Sequence, residues 1–286
     1  MACCLNARLA VLLAHKFDVP FRSLWRATFL RLWGLIVSLP VFLTAQWRNL
    51  AMVNYEIDPD ILAPYVPAGT EIDFFQGRTF VSLVGFMFED TRVKGWTIPG
   101  HRNFEELNLR FYIRREMDQE IRRGVAFIKE IVPRFAVTAV ARWIYGENYV
   151  THAMRHGCAI DAQQATATYE WKHRGRWNRL SVRGEGPPQL ADPTSEEAFI
   201  TEHYWGYTRR SATKTLEYEV AHPSWRLWQN CVAEVDCDAD LLYGEVFAEV
   251  LKQPPTSCLL ADGSPVKVHQ GTRLAIAKPS SSPTRK

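Results

Sequence analysis

Paired cysteine spacings are missing from this 286-residue chain: Cys3, Cys4, Cys158, Cys231, Cys237 and Cys258 are scattered, with no Cys-x-x-Cys among them. A zinc ribbon and a dense disulfide framework are thereby disfavoured, and reduced thiols in a cytoplasmic setting are the expectation, with only a Cys231–Cys237 bridge left open. Equally absent are a glycine-rich phosphate loop, a Gly-x-Ser-x-Gly elbow and a paired Cys/His nucleophile signal. Nucleotide hydrolysis, dinucleotide-dependent hydride transfer and serine hydrolase chemistry are disfavoured as a result. Charge of one sign is scarce, at a formal net +3 with acids and bases interspersed, so no nucleic-acid partner is implied. Long apolar runs are lacking too. Residues 32–46 form an uncharged run of about 15 residues, short of the ~20 that span a bilayer.

What is present is apolar material for one large domain, at 47% hydrophobic residues. The first 41 residues read as a basic, apolar leader carrying Arg8, Lys16, Arg22, Arg26 and Arg31 against a single acid, Asp18. Such a leader is expected to be poorly ordered; a targeting peptide and a membrane-surface contact through residues 1–44 stay open as alternatives. From Trp47 onward, short alternating runs broken by turn residues indicate a sheet-rich domain over residues 42–271, followed by a disordered tail at 272–286.

Within the domain the spacing predicts a strand at 49–57, then a helix capped by Asp58 with Pro59 at its first position, running through Tyr65. A hairpin turn is expected at Gln76-Gly77. Strands at 104–114 and 124–132 are expected to pair antiparallel, with a helix at 135–143 after Pro133. A second hairpin turns at His173-Arg174-Gly175, a loop follows at 187–193, and a helix runs from the Thr194-Ser195-Glu196-Glu197 capping signal through Tyr207. Strands at 215–221 and 224–235, a helix at 239–251 and a last hairpin around Asp262-Gly263 complete the expected order.

Period-two alternation puts Glu106, Asn108 and Arg110 on one face of a strand, with Leu107, Leu109 and Phe111 on the other. Three polar groups on one face either meet water or line a polar cavity where they satisfy one another, and the residues alone leave both open. Lys129 shares alternation with Val125, Phe127 and Ile131, although a long lysine also suits the surface. His152 and His156, four apart, would face the same way on a helix, but no third ligand accompanies them and no metal is expected. His222, before Pro223, reads as a strand-end residue. The aromatics of 203–207 read as one helical core face.

Residues 54–69, Phe104-Glu105-Glu106-Leu107-Asn108 and Ala141-Arg142-Trp143-Ile144-Tyr145-Gly146 together resemble the acetoacetate decarboxylase-like superfamily. The nearer resemblance is to its DUF2071 (YqjF-like) branch, carried also by residues 42–49, 124–127, 149–154 and 220–225, in consistent order over about residues 42–271. The resemblance implies a mainly β fold, a β-rich barrel or cone with a few peripheral helices around a small apolar cavity. It also implies a segment where the decarboxylases carry a Schiff-base lysine. Here that segment is Gly146-Glu147-Asn148-Tyr149-Val150, with tyrosine at the nucleophile's position. A phenol cannot form an imine, so Schiff-base decarboxylation is not expected.

What the resemblance retains is Glu106 as counterpart of the decarboxylase glutamate, Arg142 ahead of the lysine segment, and Arg110 as a feature of the nearer branch. Glu106 and Tyr149 are then the candidate proton-handling pair, and Arg110, Arg142 and Asn108 the candidate substrate contacts. The expected ligand is a small carboxylate or carbonyl compound, with no cofactor and no metal. Two functions follow: acid–base chemistry on that compound, or non-catalytic binding of a small hydrophobic acid or metabolite. A satisfied cluster that merely fixes the fold is the third reading, and homo-oligomerisation is left open.

Overall fold

A computed structural model describes residues 39–117, 120–135, 137–138, 146 and 148–275. The leader (apart from residues 39–41), Arg142, most of the expected 135–143 helix and the tail beyond residue 275 lie outside the described residues; Phe135, Val137 and Thr138 are helical. In chain order the first elements are β1 (Val41–Glu56), α1 (Pro59–Leu62), a 3₁₀ turn (Ala63–Tyr65), β2 (Glu71–Ile72), β3 (Phe80–Val93), β4 (Phe104–Met117) and β5 (Glu120–Val132). Next come β6 (Tyr149–Thr151), β7 (Met154–Ile160), β8 (Gln164–His173), β9 (Arg176–Leu190), α2 (Glu196–Thr201), β10 (Trp205–Ser211) and β11 (Lys214–Ala221). The last are β12 (Arg226–Asp236), α3 (Ala239–Tyr243), α4 (Glu245–Leu251), β13 (Ser257–His269) and β14 (Thr272–Ala275).

Strands β11, β10, β5, β4, β3, β1 and β13 are neighbours in that order, and a further β11–β13 pairing, at Val220 with Val268 and Ala221 with Lys267, closes them into a ring of sheet. The link from β5 to β10 is parallel while the other links of the ring are antiparallel. Beyond β13 the sheet continues through β12, β9, β8 and β7, and β8 and β9 return to pack against β1.

Strands β1, β3 and β4 of the ring are therefore packed on both faces, and two cores result. One lies inside the ring and includes Leu50, Met52, Val84, Phe86, Tyr112 and Val125. The other joins the outer face of β1, β3 and β4 to β8, β9, α3 and α4, with Leu83, Leu107, Phe111, Tyr169, Trp171 and Phe247 among its members. Gly85 sits where these layers come closest: a Cβ there would stand 2.6 Å from the Tyr169 ring. The Tyr169 hydroxyl spans the interface to donate to the carbonyl of Asn49 at 2.8 Å.

The Asp58 cap holds, accepting from the Asp60 amide at 2.9 Å, and the strand pair β4–β5 and the hairpin at Arg174-Gly175 form as expected. Several boundaries differ. The first strand begins eight residues earlier than expected, at Val41. Gln76-Gly77 does make a tight turn, through a Phe75–Arg78 bridge, but the residues before it pair with β4 instead of β3. The 187–193 loop is in part strand, because β9 runs on to Leu190 against β12. The helix expected to reach Tyr207 stops at Thr201; Trp205 onward pairs with β5 and β11, which outweighs local helical spacing.

At 239–251 there are two short helices, broken at Gly244 with φ 89°. Asp262-Gly263 is not a hairpin: β13 passes straight through it beside β1. Gly263 is needed there because its φ is 96° and a Cβ would lie 2.0 Å from the Trp47 carbonyl oxygen. The tail's first four residues form β14 against β11. The thiols of Cys158, Cys231, Cys237 and Cys258 are free, so no Cys231–Cys237 bridge exists. No helix among the described residues is long and apolar enough to cross a membrane.

Candidate functional site

β4 is antiparallel to both β3 and β5, so its pleat gives one face to the interior of the ring and the other to the outer core. Glu106, Asn108 and Arg110 take the inner face and Leu107, Leu109 and Phe111 the outer one, as alternation requires. The polar face is buried. It forms part of the wall of a cavity of about 180 Å³ whose remaining lining is mostly apolar, including Leu50, Phe86, Phe88, Val125 and Ile200.

Tyr149 opens β6, which pairs with β5 in parallel at Glu130, and this carries the phenol to the cavity. Its hydroxyl donates to Oε2 of Glu106 at 2.8 Å, while Nδ2 of Asn108 donates to Oε1 at 3.1 Å. Glu106 is 3% exposed. Burial drives its carboxyl up to about 7, against the opposing pull of the Asn108 and Tyr149 hydrogen bonds and the positive charge of Arg110. The Arg110 guanidinium lies 5.8 Å from the Tyr112 ring and brings Nη2 to 3.9 Å from the Met52 sulfur, which leaves its Nε buried without a hydrogen-bond partner.

Four of the five residues singled out from the sequence are thus brought together; the fifth, Arg142, lies outside the described residues. Of the two positions open to Lys129, the structure takes the one away from the cavity, against strict alternation. The register slips between Leu109–Lys129 and Arg110–Phe127, inserting Ile128 as an extra residue, so Val125 and Phe127 face inward while Lys129 faces out. Its Nζ bonds the Leu242 carbonyl and sits 5.7 Å from the Tyr243 ring centroid. The same bulge turns Glu130 into the cavity wall, which uninterrupted alternation from Lys129 would have hidden. No lysine is among the described lining residues.

His203 is the residue that sequence reasoning missed outright. It lies between α2 and β10, lines the cavity, and packs its ring 4.8 Å from that of Tyr112 and 5.1 Å from that of Phe199. Burial holds it down at about 4, although a hydrogen bond to Asp73 pulls the other way. Asp73 is held below its ordinary value, because the bonds from His203 and Arg123 outweigh its own burial. An ionised carboxylate only accepts, so Nε2 of His203 carries the hydrogen across the 3.1 Å contact to Oδ2 of Asp73, and Nδ1 keeps its lone pair. The usable signal was Gly206 inside the supposed helix, a poor helix former.

His222 follows β11 as a strand-end residue and also lines the cavity, stacked 4.3 Å from Trp225, with burial lowering its basicity. His152 and His156 do not share a helix: His156 is on β7 with Nδ1 2.7 Å from Glu105, while His152 stands edge-on to His173 at 4.9 Å.

The sequence matches the model of the DUF2071 family, described as an uncharacterized conserved protein, over residues 44–265. It is 27% identical over 194 residues to the uncharacterized protein YqjF of Bacillus subtilis (strain 168), covering 66% of this chain and 76% of that protein. Among solved structures, acetoacetate decarboxylase from Legionella pneumophila superposes with a TM-score of 0.58 at 13% identity, covering 84% of this chain and 90% of that one. The enduracididine biosynthesis enzyme MppR, complexed with pyruvate, gives a TM-score of 0.58 at 14% identity, over 83% and 91% of the two chains. At such identities the likeness is one of fold, and the fold is acetoacetate decarboxylase-like.

Proposed function

The chain belongs to the DUF2071 family, and on that premise we propose that its ring cavity binds a small carboxylate or carbonyl compound and moves a proton on it. The observation that carries the reading is Glu106, a carboxyl group buried in the cavity wall with its proton affinity raised to about 7, between the phenol of Tyr149 and the amide of Asn108. A carboxyl group so poised changes protonation state near neutral pH and serves as acid or base without a large driving-force penalty. Arg110 supplies the anion partner, and Arg142 is assigned the same role from the resemblance alone. MppR, of like fold, is described with pyruvate bound, which is in keeping with a small acid as ligand. With tyrosine where the resemblance sets the decarboxylases' Schiff-base lysine, the chemistry rests on proton transfer and not on an imine.

One observation favours a purely binding role: each oxygen of Glu106 already accepts a hydrogen bond from a protein group, which leaves only one lone pair on each to meet a substrate proton. The two readings part in a thermal-shift and turnover screen of the full chain against small keto, hydroxy and fatty acids. A ligand at 100 times its Kd adds about 2.7 kcal/mol, visible as a higher Tm. Glu106→Gln that abolishes turnover yet keeps the ligand-induced shift supports catalysis. Shifts without turnover for any compound, lost on Arg110→Ala, leave the binder. No shift with any compound overturns both.

A further inference from the structure

Among the described residues, buried polar atoms that lack a hydrogen-bond partner fall in two groups, one around Trp171, His173 and Tyr243 outside the ring and a larger one in the cavity. Asn108 Oδ1, Arg110 Nε, His203 Nδ1, Trp47 Nε1 and Thr91 Oγ1 all belong to residues that line the cavity. An unpartnered buried polar atom costs stability, so their gathering in one wall is the mark of a site completed by something it binds. Asn108 and Arg110, both more than nine-tenths buried, are the informative ones, being adjacent on the inner face of β4.

Their chemistry differs. Arg110 Nε can only donate, and so asks for an acceptor, best an anion. Asn108 spends its amide nitrogen on Glu106, so its oxygen asks for a hydrogen donor. His203, with Nε2 committed to Asp73, likewise offers an acceptor. A hydroxyl meets that demand without setting a cation beside the Arg110 guanidinium. A plain fatty acid or a keto acid brings an acceptor and no donor.

We infer that the natural ligand is an α-hydroxy acid with an apolar body: its carboxylate on Arg110, its hydroxyl hydrogen on the Asn108–His203 acceptor wall, and its body against the aromatic lining. An apolar cavity of about 150 Å³ admits benzene, so about 180 Å³ here suits a ring-sized body. The inference rests on the proposed binding role of the cavity and narrows it to one substrate class.

Isothermal titration of the full chain with phenyllactate, phenylpyruvate and phenylpropanoate tests it, since the three share a skeleton and differ in the group beside the carboxylate. Phenyllactate is expected to bind about tenfold to a hundredfold more tightly than either of the others. Asn108→Leu or His203→Phe should erase that preference while phenylpropanoate still binds; Asn108→Ser stands in if the leucine variant fails to fold. Equal affinity for all three, or a preference that survives both substitutions, overturns the hydroxy-acid assignment and leaves the acid-binding role intact. If none of the three binds, while Arg110→Ala lowers stability alone, the binding role fails along with it.

Discussion

Two buried glutamates on the same ring of sheet, Glu217 and Glu106, are held in opposite ways. Glu217 on β11 is 4% exposed and accepts from Arg115 at 3.0 Å, Arg122 at 3.0 Å and the Tyr207 hydroxyl at 3.0 Å. Its charge is matched by cations that themselves reach solvent. Glu106 on β4 is as deeply buried, but its hydrogen-bond partners among the described residues are a neutral phenol and a neutral amide. The first arrangement fixes a carboxylate and ties β11 to β4 and β5. The second leaves the proton nearly free to come and go. A fold that needs only cohesion has the Glu217 solution available to it, so the choice of the other for the cavity is itself informative.

The largest expected effect is the pH response of Glu106. Its folded-state pKa is raised from 4.5 to about 7, so the native state holds a proton that the unfolded chain gives up. The stabilisation is fully present below 4.5 and is lost as pH rises through about 7, which by linkage is on the order of 3 kcal/mol. His203 runs the other way: lowered from 6.5 to about 4, it stabilises above 6.5 and loses that contribution as pH falls through about 4. The two slopes oppose each other in wild type between those limits. Urea denaturation across that range should therefore find Glu106→Gln gaining stability with rising pH more steeply than wild type. Parallel curves for the two proteins would refute the raised Glu106.

Next in size is Glu217→Gln. Removing one member of a buried pair costs about 3–5 kcal/mol when the remaining charge is sealed off, and about 2–3 kcal/mol here because Arg115 and Arg122 keep some water. Urea denaturation of the variant beside wild type at one pH measures that loss.

The contrast between these glutamates was half legible in the sequence. Alternation alone put Glu106, Asn108 and Arg110 on one face, and the resemblance turned that face inward and added Tyr149. Glu217 drew no attention, because its partners come from β5, the end of β4 and β10, and nothing local marks such a meeting. His203 and Asp73 were hidden for the same reason: they lie 130 residues apart and meet only when the ring closes. Glu130 and Lys129 exchanged faces through a single bulged residue, which a period-two reading cannot anticipate. Gly263 misled in the opposite direction, since Asp-Gly marks a hairpin in isolation but here serves a close approach of β13 to the Trp47 carbonyl. Local chemistry was readable wherever strand period governed; where a bulge or a long-range pairing took over, it was not.

The smallest effects sharpen the comparison most, because they use the same substitution on both glutamates. Tyr149→Phe removes a hydroxyl donor from Glu106 and Tyr207→Phe removes one from Glu217. With Glu106 protonated, at about pH 5, the lost bond is an ordinary one and costs about 0.5–1.5 kcal/mol; with Glu106 ionised, at about pH 8, it is charge-assisted and costs about 1.5–3 kcal/mol. The Tyr149 variant should also push the Glu106 pKa higher still, since that bond is one of the contacts holding it down. Tyr207→Phe should cost about 1 kcal/mol, as two guanidinium groups still cover Glu217. Chemical denaturation of the two variants at the two pH values gives four numbers. A penalty for Tyr149→Phe that grows from pH 5 to pH 8 identifies Glu106 as a group that exchanges its proton; an unchanged penalty would make Glu106 structural and remove the proton-transfer half of the proposed function.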